Sequence, residues 1–445
     1  MTYPEALTYL NCLINYEKRG GYDYRASFKL DRMRKLCSLL GDPQGTINAI
    51  HVAGTKGKGS TCSFLHSILR SAGFKTGLYT SPHLSSFLER IRIGDTLITE
   101  ADLSRLADKV RAACANLDDA PTFFEVCTAI AYLYFSEKKA DFAVYEVGLG
   151  GRLDATNIIE PLVSVITPIS YEHTELLGST LAEIAGEKAG IIKQGGICIS
   201  APQEAEALSV IERACEAKKN RLVLVGRDIT YKELEETDTR EAFSVDGAFE
   251  DYGRLETNLL GAHQAVNATV AIGAAEALRL HGVTISADAV GRGIASAAWP
   301  GRLEVMRRRP LIVLDGAQNR ASAAALAKAV KKLFEFKKLI LVLGVSKDKD
   351  VRGILDELLP TADDVVLTRS NIAERALEPS KIADILKECQ NRRQAPCLTG
   401  SVGEAIRVAR GKTAPEDLML VTGSLFVVGE ARDVLIGEKK CVQQA

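Results

Sequence analysis

The residues from Ile50 to Thr61 have the types and the spacing of a loop that binds phosphate. A short apolar run, Ile47–Ala53, predicts a buried strand; a glycine-rich turn follows, and apolar residues then recur with helical spacing until Gly73. Glycines allow backbone N–H groups to point at a polyphosphate, and a helix N-terminus and the Lys58 ammonium would add to the attraction. The segment therefore predicts nucleotide binding, with an ordinary glycine-rich turn as the alternative interpretation.

The spacing of this loop departs from the common rule. That rule requires a glycine at position 52 and a Ser or Thr directly after the lysine, whereas this chain has Val52 and Gly59. The hydroxyl groups come one and two places later, at Ser60 and Thr61. The loop thus keeps hydroxyls after its lysine, at a shifted spacing.

Three potential metal ligands, Ser81, Glu146 and His173, lie at or just beyond the ends of predicted strands. In an open parallel sheet these ends meet at one edge, where ligands bind. A hydroxyl, a carboxylate and an imidazole beside a phosphate loop could hold Mg²⁺, which takes few protein ligands and completes its shell with water and phosphate oxygens. Each residue also has an ordinary interpretation: a turn serine, a carboxylate paired with a lysine, and a loop histidine without a ligand.

The elements that must position these residues alternate between strands and helices, which indicates a parallel α/β sheet. The predicted helices are 3–40, the stretch after the phosphate loop, 99–117, 123–138, 180–190, 204–218, 262–280 and 285–297. The predicted strands are 47–53, 76–80, 141–147, 163–169, 196–201 and 221–225. Residues 227–257 are polar and acidic, and predict either a small antiparallel excursion or a surface insertion.

Trp299-Pro300-Gly301 interrupts the helical pattern and is the predicted boundary between residues 1–298 and residues 299–445. Beyond it the α/β rhythm restarts. The predicted strands there lie near 311–315, 338–345, 364–368 and 418–422. The fold class is therefore α/β, with a P-loop parallel-sheet ATPase domain followed by a smaller α/β domain.

Composition excludes several classes of protein. The 445 residues carry a net charge of -1 without a basic block, which argues against nucleic acid as the main partner. No apolar run approaches the length of a transmembrane helix, and the first residues do not have the pattern of a signal peptide. The ten cysteines are scattered without a Cys-x-x-Cys pair, which predicts reduced thiols in a cytoplasmic protein rather than disulfides or a zinc site.

The chain resembles the folylpolyglutamate synthase/dihydrofolate synthase family, a branch of the Mur ligase superfamily. The resemblance extends from about Leu30 to Glu430. It rests on several specific segments in the family's order, namely His51–Ser60, Thr80–Leu84, Phe123–Glu125, Glu146–Asn157, Glu187–Lys193, Gly261–Ala268, Pro300–Glu304 and Val421–Leu425. The phosphate loop of this family has the same shifted hydroxyl after its lysine. The resemblance implies a Mur ligase-like fold with a Rossmann-like second domain that binds glutamate.

The resemblance also implies roles for individual residues. The ATP phosphates would be held by Gly54, Thr55, Lys56, Gly57, Lys58, Gly59 and Ser60, and other nucleotide contacts would come from Asn267, Arg302 and Asp315. Ser81, Glu146 and His173 would bind Mg²⁺, and Lys188 would be a carbamate that binds a second Mg²⁺. The pterin substrate would lie beside Phe124, Glu125, Leu153, Asp154 and Ala155, with Leu30-Asp31 at the border of its pocket. Lys58, Lys188 and His173 would be the catalytic residues.

The implied reaction is ATP-dependent formation of an amide. A folate or dihydropteroate carboxylate attacks the γ-phosphate, and the amine of L-glutamate then displaces phosphate from the acyl phosphate. Further expectations are a monomer in the cytoplasm, with small-molecule substrates and without a nucleic acid or membrane partner. Three departures from the family pattern are Gln318 with Arg320 in place of His and Pro, Glu172 in place of Asp, and Lys56 in place of Asn.

Three alternatives stay open at the level of the sequence. A superfamily ligase could use another acceptor, such as a cell-wall precursor or a different pterin. A P-loop NTPase acting as a switch or motor would hydrolyse nucleotide without a small acceptor, but it leaves Arg302 and Asp315 unexplained. A non-catalytic nucleotide-binding module is the last alternative, and Gln318 is its main support.

Overall fold

The computed structural model of the chain describes residues 1–17, 27–388 and 395–443. The strands are β1 (Asn48–Ala53), β2 (Thr76–Tyr79), β3 (Ile91–Ile93), β4 (Thr96–Leu97), β5 (Phe142–Glu146), β6 (Val163–Ile166), β7 (Ile197–Ser200), β8 (Arg221–Leu224), β9 (Thr230–Glu236), β10 (Glu241–Asp246), β11 (Asp251–Thr257), β12 (Glu304–Arg308), β13 (Leu311–Leu314), β14 (Leu339–Leu343), β15 (Asp364–Leu367), β16 (Cys397–Leu398) and β17 (Leu418–Thr422). The α-helices are α1 (Tyr3–Cys12), α2 (Leu30–Leu39), α3 (Lys58–Ser71), α4 (Glu100–Cys114), α5 (Phe123–Glu137), α6 (Thr174–Leu177), α7 (Leu181–Ala189), α8 (Ala205–Ala217), α9 (His263–Ala277), α10 (Ala287–Ser296), α11 (Arg320–Leu333), α12 (Val351–Leu358), α13 (Pro379–Glu388), α14 (Val402–Lys412) and α15 (Leu425–Gln443).

The first sheet has eight strands in the order β4-β3-β2-β5-β1-β6-β7-β8, and the six strands from β2 to β8 in that order run parallel. Strand β1 lies near its centre, between β5 and β6. Every residue of β1 except Asn48 is buried, because helices cover both faces of the sheet. The loop that follows β1 is therefore fixed by the most enclosed strand of the domain.

Helices pack on the two faces of this sheet in separate apolar clusters. Phe64 and Ile68 of α3 pack with α9 and α10 on one face, and Leu106 of α4 and Ile130 of α5 belong to the cluster on the other face. Helices α7 and α8 form a further cluster around Ile184 and the strand ends near the site. At about 25 cal/mol per Å² of apolar surface, such burial is the main stabilising term for a domain of this kind.

Residues 227–257 form the antiparallel excursion. Strands β9, β10 and β11 make a three-stranded antiparallel sheet in the order β11-β10-β9. Two ion pairs connect it to the second domain, Arg308 with Asp238 and Lys332 with Glu236. This small sheet therefore lies where the two domains meet.

The second domain contains a six-stranded sheet in the order β12-β13-β17-β14-β15-β16. Strand β12 is antiparallel to β13, and the other neighbours are parallel. The order follows a Rossmann-like crossover pattern, since strands that are distant in sequence lie side by side. The predicted α/β fold class is confirmed, whereas the boundary at 298/299 stays a prediction.

The predicted helix over 3–40 is wrong as a single element. Helix α1 ends at Cys12, and Leu13 is extended because the backbone of Ile14 pairs with Thr122 and accepts a hydrogen bond from Phe123 N. Helix α2 begins only at Leu30, and the part of the prediction over 18–26 lies outside the described residues. In the part of the chain that the structure describes, no helix is both long and apolar enough to cross a membrane.

Candidate active site

The turn from β1 into α3 is held by backbone contacts on both sides. Thr55 N and Lys56 N both donate to Pro168 O in the loop after β6, and Thr55 exchanges hydrogen bonds with the backbone of Ser170. Gly57 has φ +85°, and a Cβ there would lie 2.3 Å from Asn267 Oδ1. A glycine is therefore required at this turn for its conformation and for the close approach of α9.

Two lysine ammonium groups meet at one carbonyl oxygen of this turn. Lys58 Nζ and Lys188 Nζ donate to Gly54 O at 3.2 and 2.8 Å. Lys188 is only 5% exposed, and burial, together with the neighbouring Lys58, lowers the pKa of Lys188 to about 7. The pair creates a site of positive charge that an anion would stabilise.

Glu146 and Ser81 lie together at the ends of β5 and β2. Ser81 N donates to Glu146 Oε2 at 3.2 Å, and the Ser81–Pro82 peptide bond is cis. Burial raises the pKa of Glu146 to about 7, an effect that Lys58 opposes. The Glu146 carboxylate is thus close enough to Lys58 to interact with its charge, while the burial of Glu146 favours a bound cation or a proton.

His173 lines the same small cavity as Lys58. It precedes α6 with φ +51°, a left-handed conformation that few residues other than glycine adopt. Its electrostatic neighbours are Glu172, Lys349, Lys58 and Lys188. A cavity of about 20 Å³ lies at this point, enough for one water molecule or ion. Its lining is Gly54, Lys58, Val147, Gly148, Leu149, Gly150, Glu172, His173 and Lys188.

The predicted metal ligands are few, as in many Mg²⁺ sites. Among the described residues, no group of three or more His, Cys, Asp or Glu side chains is close enough to enclose a metal ion. The candidate ligands are instead few and lie in separate contacts: Glu146 accepts a hydrogen bond from Ser81 N, and His173 lines the small cavity with Lys58 and Lys188. Such sparse protein ligation suits Mg²⁺, which keeps water and phosphate oxygens in its shell.

The predicted nucleotide residues lie around the junction of the two domains. Asn267 Nδ2 donates to Gln264 Oε1 beside Gly57. Asp315 accepts hydrogen bonds from Leu303 N and Ala317 N, and the Arg302 charge opposes the rise in the pKa of Asp315 that burial causes. The structure therefore brings Asn267 to the loop, and it holds Asp315, directly after β13 of the second domain, against Leu303 of the linker.

The predicted substrate residues form one region but differ in what they contact. The Phe124 ring lies over Gly148 and 5.9 Å from the Tyr79 ring, so it can form the wall of a pocket. Leu153 is partly buried in the cluster of α7, and Ala155 is buried below it.

The two carboxylates of this region are occupied by protein donors. Glu125 accepts from Thr122 N at 2.7 Å and pairs with Arg32 at 2.9 Å. Asp154 is fully buried and accepts from Gly148 N, Leu149 N and the amide and hydroxyl of Thr156. The structure gives both side chains a positioning role, and their direct contact with a substrate stays a prediction.

Comparisons with known proteins agree with this arrangement. Residues 52–275 match the Mur ligase middle domain, and residues 301–425 match the Mur ligase glutamate ligase domain. A dihydrofolate synthase/folylpolyglutamate synthase of Bacillus subtilis is 36% identical over 91% of this chain and 94% of that protein. The folylpolyglutamate synthase of Lacticaseibacillus casei is 33% identical over 99% of this chain and 100% of that protein. The structure of Mycobacterium tuberculosis folylpolyglutamate synthase complexed with ADP has a TM-score of 0.88, with 32% identity and 97% and 98% coverage.

The chain belongs to the folylpolyglutamate synthase/dihydrofolate synthase family. The resemblance expected from the sequence is thereby confirmed. A shared fold does not fix the role of each side chain, so the roles in this site depend on the contacts of its own residues.

In this family member, sequence reasoning missed two residues of the site. Lys349 lies in the loop after β14 and is an electrostatic neighbour of His173. The second domain therefore brings a cation close to the residues that are predicted to bind phosphate. Trp299 covers the loop, since a Cβ on Gly59 would lie 2.3 Å from its ring. Lys349 could have been found from its place beyond a parallel strand, whereas nothing in the sequence placed Trp299 on Gly59.

The hydrogen bonds of Asp154 predict a strong effect of its removal. Asp154→Ala would leave buried backbone donors of Gly148, Leu149 and Thr156 without an acceptor, so we expect a loss of at least about 3 kcal/mol of stability, at about 1–3 kcal/mol for each donor. Urea unfolding would measure it. Asp31→Ala is the control, because the Asp31 side chain is 97% exposed. Equal stability of the two variants would contradict the positioning role.

Proposed function

We propose that this protein is an ATP- and Mg²⁺-dependent ligase that adds L-glutamate to the carboxylate of a folate-type substrate through an acyl phosphate. The observation that carries the proposal is the convergence of Lys58 and Lys188 on the Gly54 carbonyl, with Glu146 and His173 as electrostatic neighbours of Lys58. The names of its relatives, dihydrofolate synthase and folylpolyglutamate synthase, support the substrate class.

The residues of the loop would bind and orient the phosphates of ATP. Lys58 Nζ, which donates to Gly54 O and Thr55 O at 3.2 and 3.4 Å, would transfer these hydrogen bonds to the β- and γ-phosphates. Phosphoryl transfer depends mainly on positioning and charge neutralisation, and Lys58 supplies both. Bound Mg²⁺, held by Ser81, Glu146 and His173, would neutralise further charge on the phosphates.

The second domain would protect the reaction from water. The linker contacts the phosphate loop through Trp299, which lies on Gly59. The second domain comes close to the same region through Lys349, which is an electrostatic neighbour of His173. An acyl phosphate hydrolyses in open water, so coverage of the cleft favours attack by the glutamate amine. This coverage also argues against an NTPase switch or motor and against a non-catalytic module, which need no such enclosure.

Lys188 would act as a carbamate, with its two oxygens as ligands for a second Mg²⁺. A carbamate forms from a neutral amine and CO₂, and burial against Lys58 favours the neutral form of Lys188. The modification would replace a second positive charge by a negative one at the Gly54 carbonyl. It would thereby remove the repulsion between the two lysines.

The departures from the family pattern leave the acceptor as the open part of the proposal. Glu172 lines the small cavity next to His173, so its charge is retained near the metal side. Gln318 N donates to Ser322 Oγ at the start of α11, and its amide cannot carry the proton that a histidine would. A Mur superfamily ligase with a different acceptor is the second candidate. A cytoplasmic location remains our proposal, based on the scattered cysteines without a Cys-x-x-Cys pair, and a monomeric state is a separate proposal.

Turnover with defined acceptors tests the proposal. ATP, Mg²⁺ and L-glutamate with tetrahydrofolate or dihydropteroate should give phosphate and the amide in equal amounts, measured by phosphate release and mass spectrometry. Omission of the pterin should abolish both products. Phosphate release that does not depend on a pterin would favour an NTPase, and tight nucleotide binding without turnover would favour a binding module.

Removal of the Lys58 charge should slow the reaction. Lys58→Ala is expected to lose at least ~10²-fold in kcat, the usual scale for one electrostatic contact with a transition state. The control is Lys337→Ala, because the Lys337 side chain is 74% exposed and pairs only with Glu416 among the described ion pairs. Near-normal turnover of Lys58→Ala would mean that the loop has a purely structural role.

If Lys188 is a carbamate, another positively charged side chain at this position cannot replace it. Lys188→Ala and Lys188→Arg should both be nearly inactive, because neither side chain can form a carbamate, and a short carboxylic acid in the buffer should restore part of the rate of the alanine variant. NMR of the parent enzyme under ¹³CO₂ should show an additional carbamate signal. An active Lys188→Arg enzyme, or a bare ammonium in an active nucleotide complex, would contradict the carbamate.

A further inference from the structure

The loop Ser81–Arg90, called here the 81–90 loop, lies between the two domains. It begins at Ser81, whose N–H contacts Glu146, and it ends at Arg90, whose carbonyl accepts a hydrogen bond from Thr80 N. Inside the loop, the Glu89 carboxylate accepts from the amides of Leu84, Ser85 and Ser86. The loop is therefore a folded unit whose tip and base are joined by its own hydrogen bonds.

The tip of this loop packs on helix α15 of the second domain. Leu84 packs against the apolar cluster that contains Val427 and Val428, and Ser85 Oγ donates to Gly429 O at 3.3 Å. A Cβ on Gly429 would lie 2.0 Å from Leu84 O. Only glycine permits this approach of the two backbones, since the atom that would clash belongs to the main chain.

The base of the loop is held from the opposite side by a chain of ion pairs. Arg90 is 1% exposed, donates to both carboxylate oxygens of Glu17 at 2.8 and 2.6 Å, and donates through Nε to His83 Nδ1 at 2.8 Å. Arg375 of the second domain donates to the Glu17 carbonyl and, at 2.9 Å, to Asp348. Asp348 also pairs with Lys349 at 3.1 Å.

We propose that Gly429 and Arg375 are positioning residues of the second domain that set the place of the 81–90 loop, and through it that of Ser81 and Glu146 beside the phosphates. Docking of the second domain would thus position the predicted metal ligands Ser81 and Glu146 as well as cover the active site. The proposal rests on the proposed ligase function. It assigns to these residues no contact with substrate.

The test compares two glycines of the same helix. Gly429→Ala should displace the loop and lower kcat for amide formation by about 10²-fold, the scale of a misplacement of about 1 Å. It should also raise the ratio of phosphate released to amide formed, because the acyl phosphate would meet water. Gly437→Ala is the matched control, since a Cβ on the exposed Gly437 meets nothing within 4 Å. Equal kcat and equal product ratios for the two variants would overturn the proposal.

Arg375 supplies a second variant if Gly429→Ala does not fold. Arg375→Ala should lower kcat and raise the phosphate-to-amide ratio with the KM for ATP unchanged, and Arg375→Lys, which can make one of the two contacts, should recover part of both. Arg369→Ala is its control, because Arg369 pairs with Glu378 within the second domain. Parent-like product ratios in Arg375→Ala would count against the proposal.

Hydrogen exchange separates this proposal from the proposed function. The amides of Leu84, Ser85 and Ser86 should exchange about tenfold faster in Gly429→Ala than in Gly437→Ala, whether or not the parent enzyme forms an amide, because their protection reports local opening. A parent enzyme without amide formation would refute the proposed function alone. Unchanged exchange in both Gly429→Ala and Arg375→Ala would refute the positioning role alone.

Discussion

The site depends on an unfavourable interaction, the meeting of two lysine ammonium groups at the Gly54 carbonyl. At an effective dielectric constant of about 20, two unit charges a few ångströms apart repel by several kcal/mol. The fold keeps them together because β1 is enclosed on both faces and α7 is packed in its own cluster. This repulsion is relieved when an anion binds, or when one lysine becomes neutral or is carbamylated. Before any modification of Lys188, the site therefore favours the binding of an anion such as a polyphosphate.

Much of this could be predicted from the sequence because its signals are local. A strand, a glycine turn and a helix in direct succession predict a phosphate loop, and side chains directly after parallel strands predict a site at one edge of the sheet. Ser81, Glu146 and His173 were predicted in this way. In the structure Lys58 is an electrostatic neighbour of Glu146 and His173, and Ser81 N contacts Glu146, while their metal-binding role stays a prediction. The alternation of strands and helices predicted both α/β domains for the same reason.

The features that could not be predicted are set by contacts between distant parts of the chain. The extended backbone at Leu13 and Ile14 follows from pairing with Thr122, which no helical pattern reveals. Glu125 and Asp154 have the residue types of substrate contacts, and only the fold reveals that Arg32 and backbone amides donate to them, so their direct contact with a substrate stays a prediction. Likewise, the approach of Leu84 to Gly429 is known only from the fold. Side-chain type predicts chemistry, whereas the partners decide whether that chemistry is available.

The replacement of a histidine by Gln318 leaves the local backbone and its positive potential in place. The backbone of this segment still forms the start of α11, where Asn319 accepts from Ser322 N and the helix N-terminus provides positive potential. A second imidazole, that of His263, lies at the junction of the domains with Asp315 and Arg302 as electrostatic neighbours. If the reaction needs only positive potential at this point, Gln318 is compatible with it, because the helix and Arg302 supply that potential. If it needs a proton, His263 is a candidate donor at this junction, although burial lowers its pKa below the ordinary value of an imidazole.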